Sequence, residues 1–192
     1  ATVQPAATTT EVATSSTEAV EPRWYLFYAH LSSSANQEFA GNADANATGY
    51  MQCKFCTNGT VSCSVMLYNI GSPLIAVHLH LARGDDRPTG DGPPVFNFCG
   101  SNDEGHMYDG TEYPEACSDQ GGFLHTRDMP GVLVETYNQG MTVAQRVEDI
   151  AARPQMYYFN FHSRGSWERW SEPRGMCRGA LERYDNSTSR FR

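Results

Sequence analysis

Ile75–Ala82 reads Ile-Ala-Val-His-Leu-His-Leu-Ala, and this octet decides the fold. It reads as a strand, with apolar residues and histidines alternating at a period of two from Val77 to Leu81. In a strand, alternate side chains share a face. Val77, Leu79 and Leu81 therefore form an apolar face that belongs to a core, while His78 and His80 point the other way. A second segment, Gln155 to Ser163, repeats the pattern. Tyr157, Phe159 and Phe161 make its apolar face, and Tyr158, Asn160 and His162 the opposite one. Two imidazoles at i and i+2 are rooted ~7 Å apart, close enough to converge on one ion. If the two strands are near neighbours, three imidazoles meet on the outside of the sheet. A bare His-x-His is more often a pair of exposed or hydrogen-bonded histidines. The third histidine on a matching face is what favours a metal.

Working outward, the rest of the chain also reads as strands. Trp24 to Leu31 is aromatic and extended. Gly49 to Asn69 reads as a hairpin turning at Asn58-Gly59, with Val61, Cys63, Val65 and Leu67 alternating along its second arm. With Asn58 and Gly59 central, Cys56 lies opposite Val61, Cys63 is its diagonal neighbour, and Cys53 points to the other face. A Cys56–Cys63 bridge is possible there but not favoured, because diagonal roots lie ~7 Å apart. Pro93 to Cys99, Val132 to Tyr137 and Met176 to Leu181 are further strands. Gly100 to Gly122 is a long loop. Thr142 to Arg153 is the one clear helix, capped by Thr142 with Gln145 completing a capping box, and ended by Pro154. Residues 1–22, rich in Ala, Thr and Ser, read as a disordered tail. The folded domain then spans 23–183, followed by a C-terminal tail, 184–192.

A length of 192 residues suits one domain with a proper core. The net charge of −8 argues against a nucleic-acid surface. No stretch reaches the ~18–20 apolar residues of a membrane helix. The six cysteines, Cys53, Cys56, Cys63, Cys99, Cys117 and Cys177, predict three disulfides and no unbridged thiol. Three glycosylation sequons, at Asn46, Asn58 and Asn186, point to the same secreted, extracellular or otherwise oxidising setting. The sequence opens at Ala1 with no charged-then-apolar leader, which reads as a signal peptide already removed. No second Cys-x-x-Cys or His-x-x-x-His accompanies Cys53-x-x-Cys56, so no zinc site is evident.

The motif AVHLHLARGDDRPTGDGPPVFNF, followed by MYYFNFHS and RGMCRGAL, resembles the CHRD domain, the module named after chordin. That pattern has a His-x-His strand (His78, His80), a Gly-rich loop ending in Gly92-Pro93-Pro94-Val95, a Tyr-Tyr-x-Asn-x-His strand (Tyr157 to His162) and a closing Arg178-Gly179-Ala180-Leu181. The resemblance covers residues 24–181 and departs from the pattern in the Cys99–Gly122 and Gly165–Pro173 inserts. A looser likeness is to copper/zinc superoxide dismutase. It matches His78, His80 and His162 to copper ligands, Arg174 to an anion-guiding catalytic arginine, and Cys177 to a cysteine that would bridge to Cys99 or Cys117. Its bridging histidine and zinc cluster have no counterpart, and neither His30 nor His125 sits in a matching motif.

Together these readings predict an all-β antiparallel β-sandwich or flattened Greek-key barrel, superoxide dismutase-like, with one short helix in a connection. The expected function is a secreted CHRD-type domain binding copper through His78, His80 and His162. The alternatives are a copper-only dismutase-like enzyme using Arg174, and a metal-free extracellular module that binds a protein or a polysaccharide. The aromatics of Tyr108 to Tyr113 and Trp167 with Trp170 would suit such a partner.

Overall fold

The computed structural model describes residues 21–33, 46–83, 92–100, 117, 122–165 and 175–184. Expectations for residues 1–20, Tyr108 to Tyr113, Trp167, Trp170, Arg174 and Asn186 fall outside these. Ten strands form one antiparallel sheet: β1 (Trp24–Ser32), β2 (Thr48–Cys56), β3 (Val61–Ile70), β4 (Leu74–Leu81), β5 (Pro94–Gly100), β6 (Gly122–Pro130), β7 (Val132–Leu133), β8 (Tyr157–Ser163), β9 (Cys177–Ala180) and β10 (Glu182–Arg183). Their order is β6-β3-β2-β1-β9-β8-β4-β5-β7, with β10 also on β1. One α-helix, α1 (Val143–Ala152), and two short 3-10 helices, Glu135–Tyr137 and Pro154–Met156, complete the described fold.

The sheet curls until its ends approach. Phe27 of β1 packs on Phe55 of β2 at 5.2 Å between ring centroids, and Phe55 meets Phe96 of β5 at 5.8 Å. β2 and β5 are far apart in the strand order, so these rings touch across an interior. Gly131 alone separates β6 from β7, whose partner is β5, which nearly closes the barrel. The interior holds Phe27, Leu31, Met51, Val65, Leu67, Val77, Leu79, Phe98, Phe159 and Phe161, all buried. Each contributes about 1.5–3 kcal/mol through removal from water. The all-β expectation and the faces assigned to Val77/Leu79 and Phe159/Phe161 are borne out, with Val77 opposite Phe161 and Leu79 opposite Phe159.

Helix α1 carries the expected capping box between Thr142 and Gln145. It also buries a cation. Arg146 is fully enclosed, donating to the side chain and backbone carbonyl of Asn138 at 3.0 Å each and to the Tyr157 hydroxyl at 3.1 Å. Asp149 supplies the counter-charge, 3.5 Å from Arg146, and accepts from the Tyr157 hydroxyl.

Four expectations need correction. The hairpin turn is longer by one residue. Gly59 donates to the Cys56 carbonyl, Cys56 donates to that of Thr60, and Gly59 sits at φ +102°. This is a type I turn closed by a left-handed glycine rather than a two-residue turn. Phe55, not Cys56, therefore faces Val61, and Cys53 lies directly opposite Cys63. That register makes the Cys53–Cys63 bridge.

The second correction concerns the bridges. Cys99 bonds Cys117, so two disulfides form rather than three, and Cys177 bridges neither of them. Cys56 and Cys177 are buried on strands separated by β1 and stay outside both bridges. Third, Val132 to Tyr137 is not one strand. Only Val132–Leu133 pairs, and Glu135–Tyr137 turns into a 3-10 helix. Fourth, residues expected in or beyond a loop form strand β6 alongside β3.

Candidate metal centre

β4 and β8 are hydrogen-bonded neighbours in antiparallel register. Leu79 opposes Phe159 on the core side, so the residues between them must share the other side. His78 sits opposite Asn160, His80 opposite Tyr158, and Ala76 opposite His162. This places the three imidazoles in one patch. The His78 ring centroid is 5.4 Å from that of His80 and 5.0 Å from that of His162. One nitrogen from each can be chosen so that all three lie within 4.8 Å of one another. Such a cluster could hold a metal ion.

The expected position outside the sheet is corrected. His78, His80 and His162 are 3%, 8% and 2% exposed. Every residue of β5 and β8 is buried, and all of β4 except Leu81. The polar face is thus enclosed like the apolar one, and its neighbours are polar too. The register β5–β4–β8–β9 sets Asn97, His78, Asn160 and Arg178 in one row, all buried.

Burial pushes the His78 imidazole well below the usual histidine value of 6.5, reinforced by His162 and then His80. Three cations cannot share this enclosure, so His78 is neutral at pH 7, the form that ligates metals.

Contacts around the trio orient it. The His80 Nδ1 lies 2.7 Å from the Gly92 carbonyl oxygen. The Tyr158 ring stacks on that of His80, 5.1 Å between centroids and tilted by 13°. The Tyr158 hydroxyl accepts from the Gly92 N–H at 3.1 Å. Arg178 places its guanidinium 4.8 Å from the centre of the Tyr158 ring. His162 has its Nε2 3.2 Å from the Asn160 amide nitrogen.

No family model, curated protein or solved structure matched the chain. The site therefore stands on its own geometry.

Among the other residues singled out, His30 is exposed on β1 beside Tyr50 and Tyr28. His125 lies on β6 opposite Met66. Among the described residues, His30 does not join the cluster. Asn46 and Asn58 are both exposed, Asn58 at the hairpin turn. Sequence reasoning put Tyr158 and Asn160 on the histidine face but gave them no part. It gave Asn97 no part and used Arg178 only as the first residue of the closing Arg-Gly-x-Leu motif. The signal was present in the alternation, since a polar residue between Phe96 and Phe98 faces away from them.

Proposed function

We propose that this chain is an extracellular, CHRD-type module that holds one copper ion through His78, His80 and His162. The observation that carries the reading is the convergence of three buried imidazoles from two neighbouring strands. Nitrogen–metal bonds of about 2.0–2.1 Å put ligand nitrogens about 3–4 Å apart around one ion. Nitrogens already within 4.8 Å reach that spacing with small side-chain rotations. Surface histidines without a ligand have no reason to be gathered and desolvated in this way.

A set of three imidazoles, joined by no carboxylate or thiolate among the described residues, suits copper, which also outranks zinc in affinity for such a set. When bound, copper would add one-electron chemistry and a coordination position open to a small ligand. The two disulfides favour an oxidising compartment, and the sequons at Asn46, Asn58 and Asn186 agree with one outside the cytosol.

Calorimetric titration of the metal-free protein with Cu(II) should give one ion per chain. Electron paramagnetic resonance of that complex should show coupling to several nitrogens. His162→Ala should weaken binding strongly, whereas the exposed His30→Ala should not. If His162→Ala binds copper as tightly as the unaltered chain, the two strands do not share an ion and the reading fails.

A further inference from the structure

We propose that Tyr158 and the backbone of Gly92 are the positioning elements of this site, locking His80 so that it meets the ion through Nε2. The assignment rests on reading the trio as a metal centre. Its parts form a closed circuit. A carbonyl oxygen only accepts, so at 2.7 Å the His80 Nδ1 carries the proton that the Gly92 oxygen receives. In a neutral ring the lone pair is then on Nε2. Gly92 in turn donates its N–H to the Tyr158 hydroxyl at 3.1 Å. The Tyr158 ring, nearly parallel to that of His80, returns to the starting imidazole. Three side-chain freedoms of His80 are restrained together: the tautomer by the carbonyl, the tilt by the stack, and the ring position by both.

Two observations explain why the chain can build this circuit. His80 and Tyr158 are opposite partners on neighbouring strands, which puts their rings face to face without any loop. Gly92 reaches them because it has no side chain. A Cβ there would collide with the backbone carbonyl of Leu81, while the neighbouring Leu81 N–H bonds the Pro93 oxygen at 3.1 Å. The Gly92 backbone is therefore pressed against β4, where its N–H and C=O both serve the site.

Tyr158→Phe is the discriminating change, because it keeps the ring that stacks on His80 and removes the hydroxyl that accepts from Gly92. Nitrogen-15 spectra of histidine-labelled, metal-free protein report the tautomer of His80 directly. The unaltered chain should show the proton on Nδ1, and Tyr158→Phe should show a mixture of tautomers. Copper affinity should fall about tenfold in Tyr158→Phe, with one ion still bound per chain, as for other outer contacts of metal-bound histidines. A proton on Nε2 in the unaltered chain overturns the proposal whether or not the variant folds. Unchanged tautomer and affinity in Tyr158→Phe, beside an unaltered chain that binds copper, overturns the positioning role alone. Failure of the unaltered chain to bind copper overturns the metal reading and this role with it.

Discussion

Removing the Cys53–Cys63 bridge tests the hairpin register and the stability it contributes. The two cysteines are ten residues apart in sequence and face each other across β2 and β3. In the chain-entropy description, a crosslink closing a loop of that size restricts the unfolded chain by about 9 cal/mol/K, or about 2.7 kcal/mol at 25 °C. For a protein of this length that corresponds to roughly 5–10 °C in melting temperature. Cys53→Ala with Cys63→Ala, leaving Cys99–Cys117 intact, should show this loss in thermal and urea unfolding without reductant. The companion measurement is alkylation of the unfolded, unreduced chain, which should label Cys56 and Cys177 and no other cysteine. Labelling at Cys53 refutes the register. A loss below about 1 kcal/mol with correct labelling refutes the entropic reasoning, and would mean that the hairpin stays closed in the unfolded chain.

Two further outcomes follow from buried titrating groups. His78 refuses a proton that the unfolded chain accepts near pH 6.5. Metal-free protein should therefore lose stability as pH falls below 6.5, by up to about 1.4 kcal/mol per unit for this one proton; a flat urea midpoint from pH 7 to 5 would refute it. Tyr157 is pushed up to about 12 by burial and by its bond to Asp149, against an ordinary value of 10. Its contribution is complete below pH 10 and is lost as pH rises through 12. The unfolding midpoint should drop across that window, and Tyr157→Phe should remove this part of the drop.

Much of the site was legible because strand alternation is a local property. Val77, Leu79, Phe159 and Phe161 mark one face by their chemistry, and His78, His80 and His162 follow on the other. That β4 and β8 are adjacent was not legible, since pairing of segments about 80 residues apart is decided by the whole sheet. Nor was the enclosure of the histidine face, which depends on what packs over it. The hairpin shows how a small local ambiguity spreads. Asn58-Gly59 reads as a two-residue turn, yet Gly59 takes the left-handed position of a longer one. That single residue shifts every pair in the ladder and exchanges Cys56 for Cys53 as the partner of Cys63. Strand β6 was hidden because Gly122, His125, Arg127, Asp128 and Pro130 break up its β-preferring residues, and its conformation comes from pairing with β3.

The enclosure of the three imidazoles changes what kind of site this would be. An ion bound at a surface exchanges with its surroundings at a rate set by ligand dissociation alone. Here the ligands are no more than 8% exposed, in strands hydrogen-bonded on both sides. An ion could leave only when the polar face opens, so its residence time would follow the local unfolding of β4 and β8 rather than its affinity. Loading would then be an event of folding, completed as the sheet curls shut, and a chelator added later would compete with the protein's opening rate before it competed with its nitrogens.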